Sequence, residues 1–193
     1  MDWRLYKAVY DVSLDHRWVG SLFHGIEAAS IPFMVVVTCA LWLFARPGGS
    51  RKWKLAAGSA LISAGVALAV NRSIAAVWAR KRPFLAHHIA HPWINSHDAS
   101  FPSDHSSASF AIAFAVLTFD PLAGALFLVF AIVIALGRLF IGAHYPSDVA
   151  AGLVVGALSA LVVVRLGRRL VATAVRLVER VTDPLLSPIW RRA

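Results

Sequence analysis

Long apolar stretches with few charges constrain this chain more than any other feature of its sequence. Of its 193 residues, 59% are hydrophobic and 15% are charged, whereas soluble domains have about 45–50% apolar and about 25% charged residues. A helix of about 20 apolar residues crosses a bilayer. We therefore predict an all-α fold, a polytopic helical bundle in the membrane with five spans. The predicted spans are Glu27–Ala45, Leu55–Ala79, Ser103–Phe119, Pro121–Phe140 and Val149–Val164.

Segments at both ends of the chain are amphipathic rather than uniformly apolar. Residues 1–26 predict an interfacial segment with helices over Trp3–Val12 and Arg17–Ile26, although this region is long enough to begin a sixth span. Residues 166–193 predict a basic amphipathic tail. The helical bundle over residues 27–165 then belongs to a single domain, because no polar stretch is long enough to fold a second one.

The formal net charge of +9 is concentrated beside the apolar stretches. Four basic residues lie within positions 46–54 and seven arginines within positions 165–192. Cytoplasmic loops and tails of membrane proteins carry such an excess of Lys and Arg, and basic tails bind anionic lipids. This distribution argues against a nucleic-acid partner and predicts anionic lipids as partners of the tail. It also predicts that the 80–102 and 141–147 loops lie on the outer face.

Three short polar motifs lie at the span ends that face outward under this topology. Charged groups are costly at membrane depth, so their presence there indicates a functional site. The motifs are Arg80-Lys81-Arg82-Pro83, Phe101-Pro102-Ser103-Asp104-His105, and Arg138 followed by His144 and Asp148.

The residue types in these motifs are those needed to bind a phosphoryl group. The third and fifth spans begin at this face, so their helix N-termini offer unpaired N–H groups to an anion. Arg82 and Arg138 end the second and fourth spans there, and guanidinium groups bind phosphoryl oxygens in a bidentate manner. This combination can neutralise a phosphate without a metal ion or another cofactor.

Two histidines in the motifs have complementary positions for catalysis. His144 and Asp148 are four residues apart, so the carboxylate can hold one ring nitrogen and leave the other free to attack phosphorus. His105 is then available as the general acid that protonates the leaving oxygen. We interpret these residues as a metal-independent phosphatase site in the 27–165 bundle. A carrier that binds a lipid phosphate without turnover is the alternative.

These motifs resemble those of the type 2 phosphatidic acid phosphatase family of membrane lipid phosphatases, over roughly residues 54–165. That family carries Lys-x6-Arg-Pro, Pro-Ser-Gly-His and Ser-Arg-x5-His-x3-Asp. The resemblance implies that His144 forms a phosphohistidine, that Asp148 orients it and that His105 is the acid. It also implies that the phosphate is held by Arg82, Ser103 and Arg138, without metal.

The small size of the chain, the Phe101–His105 form and the Arg-Pro-Phe at 82–84 are most similar to the bacterial undecaprenyl diphosphatase branch. This similarity implies an enzyme of cell-wall synthesis in the bacterial inner membrane, acting on a polyprenyl diphosphate at the outer face. Related branches act on phosphatidylglycerol phosphate, phosphatidic acid or other polyprenyl phosphates, so the substrate stays open, as does the oligomeric state.

Three positions depart from the family pattern. Asp104 replaces glycine, Gly137 replaces serine, and Ala75 stands where the first motif has lysine. We predict that Arg80 or Lys81 takes the place of the missing lysine. For Asp104 we expect a helix cap at the edge of the phosphate-binding group.

Several other residues invite a functional interpretation. Gly152, Gly156 and Ala160 have the small-xxx-small spacing, for which we predict close packing within the monomer rather than dimerisation. Arg72 lies within the second span and is expected to pair with Glu27. Four histidines crowd the outer loop, where we expect solvent or headgroup contacts rather than zinc ligation. They are His87, His88, His91 and His97.

Overall fold

The architecture is helical throughout the residues that the computed structural model describes, which are 1–89, 93–94 and 96–190. Within that range there are eight α-helices and no β-strands, which confirms the predicted all-α fold. His91 and the last three positions of the predicted tail, 191–193, lie outside the described residues. The helices are α1 (Asp2–Asp15), α2 (Arg17–Phe44), α3 (Lys52–Val77), α4 (Pro83–His87), α5 (Asp104–Phe119), α6 (Pro121–Phe140), α7 (Pro146–Arg165) and α8 (Arg168–Trp190).

Four helices of the described range, α2, α3, α6 and α7, are long and apolar enough to cross a membrane. The predicted span Ser103–Phe119 corresponds to α5, which has only 16 residues. This helix is the most enclosed of the bundle, because α2, α3, α6 and α7 all pack against it. The multi-pass helical bundle is therefore confirmed, while the count of five spans stays a prediction.

The amino-terminal segment differs from the prediction. α1 covers the expected Trp3–Val12 region, but Arg17–Ile26 is not a separate helix. It forms the first part of α2, which continues without a break to Phe44. No proline lies within Arg17–Ile26, so its backbone hydrogen bonds run directly into the apolar residues that follow. The predicted boundary at residue 27 is therefore not a helix boundary.

Helix N-caps position the central helices. Asp120 accepts a hydrogen bond from Ala123 N at 3.1 Å and is followed by a proline at the first position of α6, as predicted. In α5 the cap is Ser103, whose Oγ accepts from Ser106 N at 3.4 Å. The cap predicted for Asp104 is wrong, because Ser103 is the last residue with extended backbone and Asp104 already lies in the first turn.

Close contact between α7 and α5 confirms the packing prediction for two of the small residues of α7. A Cβ atom added to Gly152 would lie 2.7 Å from the Ser106 Cβ and 3.0 Å from the Ser103 carbonyl oxygen. One added to Gly156 would lie 2.7 Å from the Ser107 carbonyl oxygen. Glycine at these positions allows the two backbones to approach, which brings the N-termini of α5 and α7 together.

The basic tail forms α8, an amphipathic helix docked at the N-terminal end of α3. Arg51 donates two hydrogen bonds to Glu179, at 2.9 and 2.7 Å. Lys54, which is 2% exposed, bonds Asp183 at 2.6 Å. The opposite end of α3 leads into the first polar motif, so the basic cluster and the three motifs lie at opposite ends of this helix.

Candidate active site

The three polar motifs converge around the imidazole ring of His144, which is 2% exposed. Its Nε2 lies 3.3 Å from Arg82 Nη1 and 3.3 Å from Arg138 Nη2. Arg82 immediately precedes α4, Arg138 lies in the last turn of α6, and His144 lies in the loop before α7. Elements far apart in the sequence thus place two guanidinium groups on one ring nitrogen.

The other ring nitrogen of His144 is held by the backbone. Nδ1 lies 2.7 Å from the carbonyl oxygen of Ser100. A carbonyl can only accept, so Nδ1 carries the hydrogen and Nε2 keeps its lone pair. The nitrogen that faces the two arginines is therefore the nucleophilic one.

The contact predicted between Asp148 and His144 is corrected by the structure. Asp148 Oδ2 lies 3.7 Å from His144 Nδ1, too far for a hydrogen bond. The four-residue spacing fails because α7 begins only at Pro146, which leaves His144 outside the helix. Asp148 Oδ2 instead accepts from Ser100 Oγ at 2.5 Å and from Tyr145 N at 2.9 Å. Asp148 thus acts on the histidine through Ser100.

Arg80, one of the two predicted substitutes for the motif lysine, is paired with two carboxylates. Its Nη1 bonds Asp148 Oδ1 at 2.6 Å and its Nη2 bonds Asp2 Oδ2 at 2.7 Å. The guanidinium also stacks over the Tyr145 ring at 4.0 Å. Lys81, the other predicted substitute, is exposed. Arg80 is thus a counter-ion of Asp148, and its membership of the phosphate-binding group stays a prediction.

Helix α1 supports the loop that carries the histidine. Besides binding Arg80, Asp2 accepts from Ser147 N at 3.1 Å and from Ser147 Oγ at 2.6 Å. Tyr6 donates its hydroxyl hydrogen to the Gly142 carbonyl at 3.3 Å. Gly142 has a φ of +74°, a conformation that favours glycine, and the Tyr10 ring leaves no room for a side chain there.

Glu27 enters the site from α2, although no motif contains it. Arg138 Nη1 donates a very short hydrogen bond to Glu27 Oε1, which also lies 3.5 Å from His105 Nε2. The predicted partner of Glu27, Arg72, is exposed instead. The only sequence signal for Glu27 was a charged residue at the start of an apolar stretch. Arg138 Nε is buried without a hydrogen-bond partner among the described residues.

Ser103 and Asp104, both predicted to contact the phosphate, have hydrogen-bond partners on α5 and α3, and their phosphate contact stays a prediction. The Ser103 hydroxyl is fully buried, and it accepts from the Ser106 hydroxyl at 3.1 Å as well as capping α5. The Asp104 carboxylate accepts from Asn71 Nδ2 at 2.7 Å. Asn71 lies on α3, one turn before Ala75, and also bonds Ser107 at 3.0 Å. It was missed because an asparagine within an apolar helix carries no distinctive motif.

Burial, positive charge and hydrogen bonding shift the pKa values of His144, Arg82 and Asp2. Burial, reinforced by Arg138 and Arg82, holds the pKa of His144 well below its usual 6.5. Burial also lowers the pKa of Arg82. For Asp2, burial is outweighed by hydrogen bonds from Ser147 and Arg80, which lower its pKa. His144 is therefore neutral, and Asp2 charged, at physiological pH.

The outer-loop histidines do not form a metal centre in the described part of the chain, where no three His, Cys, Asp or Glu side chains gather as one. His87 stacks on Trp3, with ring centroids 3.6 Å apart. His88 ends α4 in the left-handed conformation, with a φ of +50°. His97 is exposed.

Comparison with known proteins identifies the family of this chain and its relatives. The family model of the PAP2 superfamily matches residues 53–172. Undecaprenyl-diphosphatase BcrC of Bacillus subtilis is 31% identical over 192 residues, which cover 100% of this chain and 97% of that protein. The putative undecaprenyl-diphosphatase YbjG of Escherichia coli is 32% identical over 157 residues, covering 75% of this chain and 71% of that protein.

Two crystal structures share the fold. A PAP2-type phosphatidylglycerolphosphate phosphatase of Bacillus subtilis superposes with a TM-score of 0.64 at 20% identity, covering 87% of this chain and 85% of that one. LpxE of Aquifex aeolicus superposes with a TM-score of 0.62 at 18% identity, covering 84% of this chain and 93% of that one.

Proposed function

This chain belongs to the PAP2 superfamily and is a bacterial multi-pass membrane phosphatase, and we propose that its substrate is undecaprenyl diphosphate. The substrate proposal is supported by the full-length similarity to a protein described as an undecaprenyl-diphosphatase. The observation that carries the chemistry is the His144 imidazole, with its Nδ1 on the Ser100 carbonyl and two guanidinium groups at its Nε2.

The proposed reaction has two steps, and His105 donates a proton in the first and accepts one in the second. His144 Nε2 attacks the terminal phosphorus, an N–P bond forms, and the P–O bond to undecaprenyl phosphate breaks as His105 donates a proton to the leaving oxygen. A water molecule then attacks the phosphohistidine and gives its proton to His105, and the N–P bond breaks. The products are undecaprenyl phosphate and inorganic phosphate.

The remaining residues of the site stabilise charge or hold geometry in this proposal. Arg82 and Arg138 bind the phosphoryl oxygens, whose charge spreads in the transition state. A phosphoryl oxygen would also satisfy the buried Arg138 Nε, an otherwise costly unpaired donor. The N-terminus of α5, capped by Ser103, adds the positive end of a helix dipole. Asp148 holds the histidine loop through Ser100 and Tyr145.

The site is proposed to face outward. The basic residues at the N-terminal end of α3 and on α8 favour the cytoplasmic side, and the active site lies at the other end of α3. The arginines of α8 are proposed to bind anionic lipids of the inner leaflet, because the helix is amphipathic and basic.

The test is phosphate release by the detergent-purified protein in excess EDTA. Undecaprenyl diphosphate and phosphatidylglycerol phosphate are compared in parallel, and acid-labile phosphoenzyme is trapped by rapid quench. We expect release to favour the polyprenyl substrate and both signals to vanish in His144→Ala. His97→Ala is the matched control, since His97 is exposed. Preference for the glycerophospholipid would move the substrate to another branch, and release that survives His144→Ala would refute the phosphohistidine.

A further inference from the structure

Glu27 is an acidic side chain that lies among the groups that contact the phosphate in the proposed mechanism. It lies on α2, outside the residues that the family model matches. Its Oε1 accepts from Arg138 Nη1 and lies 3.5 Å from His105 Nε2. Arg138 Nη2 in turn lies 3.3 Å from His144 Nε2. The carboxylate is therefore separated from the attacking nitrogen by one guanidinium group.

A carboxylate and a phosphoryl group use the same donors, because the guanidinium fork fits the oxygens of either anion. The Arg138 side chain is 3% exposed and the Glu27 side chain 21%, so this pair is largely shielded from water. Electrostatic interactions between charges are stronger in such surroundings than in solvent. A phosphoryl oxygen that binds Arg138 Nη1 beside His105 must displace the carboxylate or lie next to a like charge, and either arrangement weakens phosphate binding.

We propose that Glu27 is an internal competitor for phosphate, which sets the affinity of the site for its substrate and for inorganic phosphate. The inference rests on the proposed function, because it takes Arg138 and His105 as groups that contact the transferred phosphate. Glu27 is thus an affinity-determining residue that acts through Arg138, not a catalytic one.

The proposed competition has a kinetic benefit. Two buried arginines and two helix N-termini would bind a phosphate dianion tightly in the ground state as well as in the transition state. Such uniform binding does not raise kcat, and slow product release can limit turnover. A carboxylate that returns to Arg138 when phosphate leaves would favour product release.

A purely structural role for Glu27 predicts the opposite effect on phosphate affinity. If Glu27 only neutralises and orients Arg138, its removal would disorder the arginine and weaken phosphate binding. If it competes, its removal would strengthen phosphate binding. The sign of the change therefore separates the two roles.

The decisive variant is Glu27→Gln, which removes the charge but keeps the shape and an oxygen acceptor for Arg138. We expect the inhibition constant of inorganic phosphate to fall by about tenfold or more, because a like charge beside the anion is lost. KM should fall with it, while kcat stays equal or decreases. Added phosphate should also raise the thermal unfolding temperature of this variant more than that of the wild type.

The matched control is Glu179→Gln, because Glu179 is also a partly buried carboxylate paired with an arginine, but on α8 at the other end of α3. It should leave the inhibition constant of phosphate unchanged. An unchanged or increased constant in folded Glu27→Gln would overturn the inference.

The thermal measurement needs no turnover, so it separates the two proposals. Tighter phosphate binding by Glu27→Gln in a protein without His144-dependent release would sustain the competition and refute the proposed function. Release by the wild type with no gain in phosphate affinity in the variant would sustain the proposed function and refute the competition. Absence of both release and any phosphate-induced shift in either protein would overturn both.

Discussion

The His144 ring is oriented by a backbone carbonyl, which a side-chain substitution cannot remove, and by Asp148 only indirectly. Ser100 supplies both connections, with its carbonyl on Nδ1 and its hydroxyl on Asp148. We predict that Ser100→Ala lowers kcat by roughly tenfold with little change in KM, the scale of a lost supporting hydrogen bond at a reactive centre. Steady-state kinetics on the proposed substrate would measure this. A loss as complete as that of His144→Ala would contradict the indirect role.

The pH dependence follows from the depressed pKa of His144. Burial, Arg138 and Arg82 favour the neutral ring, so the nucleophile is lost only as pH falls through a folded-state pKa well below 6.5. We predict that the profile of kcat/KM shows no loss attributable to His144 between neutral pH and 6.5. Because the unfolded state takes up this proton near 6.5 and the folded state does not, the free energy of unfolding should decrease as pH falls below 6.5.

Substituting a nearby arginine provides the check on that pH profile. Arg82→Gln removes one of the positive charges that face Nε2, so the acid limb of kcat/KM should move upward toward 6.5. An acid limb already centred at 6.5 in the wild type and unmoved in this variant would show that His144 is not held neutral by its surroundings.

At the scale of single elements, α1 extends the active site beyond the region that the family model matches. Asp2 connects this helix to Arg80 and to Ser147 at the start of α7. We predict that Asp2→Asn lowers kcat several-fold while changing the free energy of unfolding by less than about 1 kcal/mol, since the pair is partly exposed. The matched control is Asp11→Asn, which breaks only the exposed pair with Lys7 on the same helix. Equal kinetics for the two variants would contradict a positioning role for α1.

Substitution by alanine should change stability differently at two glycines. Gly152 lies in the contact between α5 and α7, and Gly65 lies outside it on α3. Gly152→Ala places a methyl group 2.7 Å from the Ser106 Cβ, so we expect a loss of about 1–3 kcal/mol in stability. At Gly65 on α3 no atom lies within 4 Å of an added Cβ, so Gly65→Ala should be neutral or stabilising, by up to about 1 kcal/mol. Thermal unfolding in detergent would compare them. A stable Gly152→Ala protein would contradict the close approach of the two helices.

Most elements could be predicted from the sequence because their signals are local. Apolar length indicates the spans, and Asp120 with the following proline marks a helix start within a few residues. The short polar motifs are also local signals, and they identified Arg82, Arg138 and His144. Glu27, Ser100, Asn71 and Asp2 could not be identified as parts of the site, because only tertiary packing brings them to it. The direct contact between Asp148 and His144 was mispredicted because a four-residue spacing implies a shared face only inside a helix.

At the scale of the whole molecule, the basic end and the active-site end are separated by the length of α3. Its 26 residues extend roughly 39 Å, somewhat more than the ~30 Å apolar core of a bilayer. A helix of this length that crosses the membrane has its ends at opposite surfaces, and from the positive-inside rule we propose that the active site faces outward. A lipid diphosphate exposed at the outer surface would then reach His144 without crossing the membrane.

This orientation can be measured with cysteine labelling, because the chain contains one cysteine, Cys39. In a Cys39→Ala background, His97→Cys introduces an exposed thiol in the loop before α5, and Ser50→Cys introduces one in the loop before α3. We predict that a membrane-impermeant maleimide labels His97→Cys in intact spheroplasts and labels Ser50→Cys only after permeabilisation. Retained phosphatase activity would verify that both variants are folded. The reversed labelling pattern would place the site in the cytoplasm, where an externally exposed lipid diphosphate could not be its substrate.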